Sequence, residues 1–194
     1  MKTFKQVILL VACAALLVGA SVMGTLAYLK AETGPITNTM TVGKVAITLD
    51  EAKVTLDGVV DGTARVTENE YKLVPGQSYT KDPQIHVAAD SEECYVFVKV
   101  VNEIAAIEKQ DGNTIAEQLA DNGWIRMGDS NVYYKEAPVA AGTTVDVFAS
   151  FAIANDVANL SSYADKTITI TAYAVQSAGF DDAEAAWAAA GFTA

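Results

Sequence analysis

The sequence predicts a mainly β protein: a jelly-roll-like β-sandwich carrying a short helical insertion and a short C-terminal helix. Three observations lead there. Short runs of alternating apolar and polar residues recur along the chain, separated by Gly, Pro, Asp and Asn turn signals. One run, Tyr95 to Val101, is apolar on both parities and reads as a central strand covered on both faces. Two stretches with helical character, Ile115 to Ala120 and Asp181 to Ala190, interrupt and close the β pattern.

Composition narrows the function. The chain has 194 residues, 13 Lys+Arg against 24 Asp+Glu, one His and two Cys. An apolar share of 51% is too rich for a disordered chain. The length fits one globular domain, or one domain plus a tail. A net charge of −11 argues against nucleic acid as a partner, because phosphate binding needs clustered Lys and Arg. Two cysteines build no disulfide scaffold, and a single histidine removes every zinc motif that needs two imidazoles.

Residues 1–27 read as an export signal. Lys2 and Lys5 precede an uncharged run from Gln6 to Leu29. Small residues allow cleavage after Ala20 or after Ala27, the second giving a mature start at Tyr28. An uncleaved membrane anchor is the competing reading, since about 20 apolar residues span a bilayer. Leu10-Val11-Ala12-Cys13 has the form of a lipidation signal, but the apolar run continues past Cys13, where a lipoprotein turns polar. Cys94 is then left single, a small buried hydrophobe.

The strands follow in order. In Thr37-Asn38-Thr39-Met40-Thr41-Val42 the threonines share one face, with Met40 and Val42 on the other. In Val45 to Leu49 the apolar set moves to odd positions, which calls for a bulge or kink at Gly43-Lys44. Asp57-Gly58 and Asp61-Gly62 read as turns, and Pro75-Gly76 as another. Tyr79 to Ala89 is extended with a break at Pro83. Val145, Val147, Ala149, Phe151 and Ile153 alternate in one strand, and Thr167 to Val175 in the last. Between them, Ile115 to Ala120 forms a helix stopped by Asn122-Gly123, followed by a hairpin of Trp124–Met127 with Val132–Tyr134. The tail packs Trp187 onto the sandwich.

No catalytic motif, phosphate loop or cofactor signature stands out. His86 could join Asp82, Asp90, Glu92 or Glu93 around a metal, but strand alternation between Ile85 and Val87 turns it to the polar face. Tyr133, Tyr134 and Trp124 could line a groove; cross-strand packing is the simpler use. The sequence therefore names no catalytic, cofactor or metal residue.

Three stretches together resemble the TasA/camelysin family of exported bacterial proteins. They are the junction Gly24-Thr25-Leu26-Ala27-Tyr28 with Thr37 to Val45, the segment Leu73-Val74-Pro75-Gly76 with Lys81-Asp82-Pro83, and the ending Ala172 to Gln176 with Gly179-Phe180 and Ala186-Trp187. The resemblance implies a signal removed by a SipW-type signal peptidase and only transient membrane contact. It implies a jelly roll secreted to the cell surface or biofilm matrix of a Gram-positive-type bacterium. It also implies self-assembly into fibres by strand donation or, for camelysin-like members, metalloendopeptidase activity. Residues 28–42 suit donation to an open sheet edge and equally suit pairing within their own sheet, ahead of a β-sandwich domain over 43–194. An adhesin or ligand-binding sandwich is the alternative from another class.

Overall fold

The computed structural model describes residues 3–8, 10–15 and 43–193. The chain divides into two units, one up to Thr41 and one from Val42 onward. In the first, residues 3–8 and 10–15 are helical, with Phe4, Val7, Ile8, Leu10 and Val11 exposed and Cys13 exposed as a free thiol. Among the described residues no helix is long and apolar enough to cross a membrane. The cleavage positions Ala20, Ala27 and Tyr28 and the strand Thr37-Asn38-Thr39-Met40-Thr41-Val42 lie outside the described residues.

The second unit is mainly β, as the patterning predicts. One antiparallel sheet has the order β2-β1-β4-β8, built from β1 (Ile47–Val54), β2 (Val60–Val66), β4 (Gln84–Val87) and β8 (Thr144–Asp146). The other has the order β10-β5-β7-β6, from β5 (Cys94–Asn102), β6 (Ile125–Arg126), β7 (Val132–Tyr134) and β10 (Ile168–Gln176). A separate two-stranded ribbon pairs β3 (Ser78–Thr80) with β9 (Ser150–Ala152).

Strand β5 is the spine, paired along its full length with β10 and flanked on its other side by β7. Its Cys94, Val96, Val98 and Val100 enter the main core with Ile85, Val87, Phe151 and Ile153. Tyr95 and Phe97 point the other way, under the C-terminal helix Ala183–Ala190, where Ala183, Ala186 and Trp187 cover them. Trp187 lies 5.0 Å from the Phe97 ring and 5.4 Å from Tyr173. Asp182 caps this helix on the Ala185 N–H, and Gly191 ends it in the left-handed region. A doubly apolar strand requires two covers, and this helix is the second.

Three expectations change. Asp61-Gly62 is no turn: it lies inside β2, where the pairing shifts between Ala52 and Val54 and Gly62 takes φ +79° to absorb the extra residues. The other expected turn, Asp57-Gly58, is present, and a Cβ added at Gly58 would fall 2.8 Å from the Tyr79 Cα. The single strand expected through Val145 and Ile153 is two strands in two sheets. Val147 and Phe148 are both buried, so alternation breaks there and the chain changes sheet opposite Pro83. Residues 43–46 form no strand, so the run expected from Val45 starts at Ile47; bonds from Glu92 N–H to the Lys44 carbonyl and from Ala88 N–H to the Ala46 carbonyl tie this stretch down.

The insertion explains why the break is tolerated. Its helix, Ile115–Asp121, starts with a capping box between Thr114 and Glu117 and buries Ile115, Gln118 and Leu119. The Gln118 carboxamide accepts from the Ala149 and Ser150 N–H groups and donates to the Ser150 and Asn113 carbonyls. Asn122 and the Trp124 indole donate to the Val147 and Asp146 carbonyls. Backbone groups freed at the sheet change thus find side-chain partners.

Candidate functional site

A cleft of about 1130 Å³ is lined by residues of both sheets. Leu49 and Glu51 of β1 form one side, Ile168 and Ile170 of β10 the other, with Phe151 and Ile104 among the lining. Loop 66–73 walls it. That loop is pinned through the buried Tyr79 hydroxyl, which accepts from the Val74 N–H and donates to the Lys72 carbonyl, both at 2.7 Å. On the opposite wall Glu103 accepts from the Thr167 N–H at 2.9 Å and the Thr167 hydroxyl at 3.0 Å. These bonds hold the Glu103 carboxyl below its ordinary range.

Beside the cleft runs the other edge of β10, which among the described strands pairs with β5 alone. The stretch from Gly43 ties in at the end of the β5–β10 pair. The Lys44 carbonyl accepts from the Glu92 N–H, and the next residue, Glu93, accepts from the Ser177 N–H just past β10.

A buried polar group sits within the cleft wall. The Glu51 carboxylate accepts from the Lys81 ammonium at 2.6 Å with one oxygen and from the Asn69 amide at 2.9 Å with the other. Glu51 is 5% and Lys81 8% exposed. Asn69 also accepts from the Val54 N–H at 3.0 Å and donates to the Ala52 carbonyl. Tyr71 lies over Lys81 with 5.9 Å from Nζ to the ring centre, and its hydroxyl donates to the Thr80 carbonyl. Burial, with the Glu51 and Asp82 charges adding to it, pushes the Tyr71 phenol far above its ordinary value.

His86 faces outward, as strand alternation predicts. Its ring nitrogens contact Asp50 Oδ1 at 3.0 Å and Thr144 Oγ1 at 2.9 Å. Asp50 is also held by Arg65, which bonds Asp82 as well. The Asp50 carboxyl is partly desolvated, but the bonds from Arg65 and His86 outweigh that and lower it. A threonine, a histidine and an aspartate in series have the composition of a nucleophile relay. Here the series lies across an open sheet face and the carboxylate already serves a guanidinium. The metal set of His86 with Asp82, Asp90, Glu92 and Glu93 is not brought together, since Asp90 pairs with Lys44; among the described residues no three His, Cys, Asp or Glu side chains gather as ligands. Trp124 is buried, Tyr133 packs on the main core and Tyr134 on the second, so these rings pack and line no groove.

Sequence reading missed Glu51, Asn69 and Lys81. One signal was present: Glu51 follows Ile47 and Leu49 on the same strand parity, an acid at an inward position. No known protein family, curated protein or solved structure matches this chain. The TasA/camelysin resemblance therefore rests on the sequence motifs alone.

Proposed function

We propose that this is an exported structural protein of the cell surface or biofilm matrix that assembles into fibres, residues 28–42 of one copy adding as a strand to β10 of the next. The observation that carries the reading is the β10 edge, unpaired among the described strands, bordering a cleft with apolar lining. A Thr-rich strand laid on that edge gains main-chain bonds, and its apolar side chains Met40 and Val42 gain a place to bury. A head-to-tail contact of this kind does not close on itself and produces filaments. Export follows removal of residues 1–27 by a SipW-type signal peptidase, so the membrane is met only in transit. The motif resemblance supports the same reading, and the partner is a second copy of the chain.

The test compares protein starting at Tyr28 with protein starting at Gly43 by electron microscopy and circular dichroism. The Tyr28 form polymerises. The Gly43 form stays folded and dispersed, because its loss is limited to two half-buried side chains, about 2–4 kcal/mol. Filaments from the Gly43 form would exclude donation by this segment; unfolding would make the strand an internal one.

A second reading uses the same cleft. A concavity of about 1130 Å³ with one buried charge pair in its wall also fits an adhesin or ligand-binding sandwich. Saturable binding by a dispersed Tyr28 form would favour it.

A further inference from the structure

We propose that Lys81 and Asn69 become joined by an intramolecular isopeptide bond, with Glu51 carrying the protons. The inference is independent of fibre assembly. A buried ion pair contributes little net stability compared with apolar packing of the same volume, so its placement against a carboxamide asks for another account. Glu51 binds the Lys81 amine on one oxygen and the Asn69 amide nitrogen on the other, which sets nucleophile and electrophile side by side. The orientation of Asn69 is fixed by its partners. Its nitrogen faces two acceptors, Glu51 Oε1 and the Ala52 carbonyl, and its oxygen faces one donor, the Val54 N–H at 3.0 Å. Amine, carboxamide, proton carrier and oxyanion donor are the four parts an amide exchange needs. The rings of Tyr71, Tyr79 and Phe151, packed 4.9–5.8 Å apart, form an apolar flank beside them.

The chemistry balances without an added reagent. Glu51 takes a proton from the Lys81 ammonium, and the freed Nζ lone pair adds to Cγ of Asn69. The carbonyl electrons move onto Oδ1, where the Val54 N–H holds them. Nζ loses a second proton, and protonation of Nδ2 through Glu51 lets the Cγ–Nδ2 bond break as the carbonyl re-forms. Ammonia leaves and takes up the remaining proton as ammonium; no atom changes oxidation state. Two side chains held on one carboxylate make the step effectively unimolecular. The product ties the turn after β3 to loop 66–73 and so fixes one wall of the cleft covalently.

Tryptic mapping of the purified, denatured full chain by mass spectrometry tests this. Trypsin cuts after Arg65 and Lys72, so in an unlinked chain the peptide holding Asn69 separates from the one beginning at Leu73. The expected result is a single linked species, lighter than the sum of its two peptides by one ammonia. Two separate peptides from the wild-type chain would overturn the proposal, even if the first has lost ammonia, since that marks only a cyclised Asn69. Glu51→Gln and Asn69→Ala should each give separate peptides. Linkage that persists in either variant overturns the assigned roles. The wild-type map decides the main point even if a variant fails to fold.

Discussion

The two faces of the β5–β10 pair are finished in different ways. On the outer face the C-terminal helix lays Trp187, Ala183 and Ala186 over Tyr95, Phe97 and Tyr173, a seal made by apolar area alone. On the inner face the first half of β10 borders a cleft held in shape by side-chain bonds from Glu51, Asn69, Tyr79 and Glu103. Apolar contact closes space because it is non-directional, whereas a wall that must stay open needs partners at fixed angles. Among the described residues every buried side-chain nitrogen and oxygen has such a partner. One face is therefore sealed by apolar area and the other shaped by directional bonds.

The comparison breaks most sharply at Trp187. Trp187→Ala removes the largest side chain of the seal and should cost about 3–5 kcal/mol in urea denaturation, since the helix cannot refill the cavity. Filament formation by the Tyr28 form should be unaffected while it stays folded, because the cleft lies on the other face. On the open side, Glu51→Ala leaves the Lys81 ammonium buried without its counter-charge and should cost about 3 kcal/mol. The pair Glu51→Leu with Lys81→Met removes the stranded charge and should regain part of that loss. It should stay below wild type by the share of the cross-link. Full recovery would mean the polar group adds nothing beyond an ion pair.

A smaller effect separates the two acids that flank the start of the insertion. Glu108 is buried, and burial pushes its carboxyl up despite bonds from the Ile115 N–H and Asn102. An acid raised in the folded state binds more protons folded than unfolded. Stability should therefore fall as pH rises from the ordinary Glu value through the raised one. Glu103, lowered by Thr167, runs the other way, its contribution being present above the ordinary value and lost as pH falls through the lowered one. Glu108→Gln removes the first term only. In urea denaturation across about pH 4 to 8 the variant should gain on wild type as pH rises. A constant difference would mean that Glu108 does not titrate within that range.

Much of the fold was legible because it rests on local signals. The doubly apolar run at β5, the alternation of β10, the stop at Asn122-Gly123 and the Trp187 helix each follow from spacing and caps, and each is present in the structure. Where alternation misled, a distant partner decided. Val147 and Phe148 are both buried because Gln118, about 30 positions earlier, satisfies the neighbouring backbone. Gly62 read as a turn because a lone Asp-Gly does not reveal that β1 runs opposite it.

By itself the sequence determined the class of the protein: acidic and mainly β. These are properties of composition and short-range period, which need no partner to exist. Only the tertiary structure decided that, among the described strands, β10 would pair on one side alone, that a cleft would lie beside it, and that Glu51, Asn69 and Lys81 would meet there. Those three come from a strand, a loop and a turn up to 30 positions apart, and their spacing carries no repeat. Contact between them is set by how the sheets pack, and packing is a property of the whole chain.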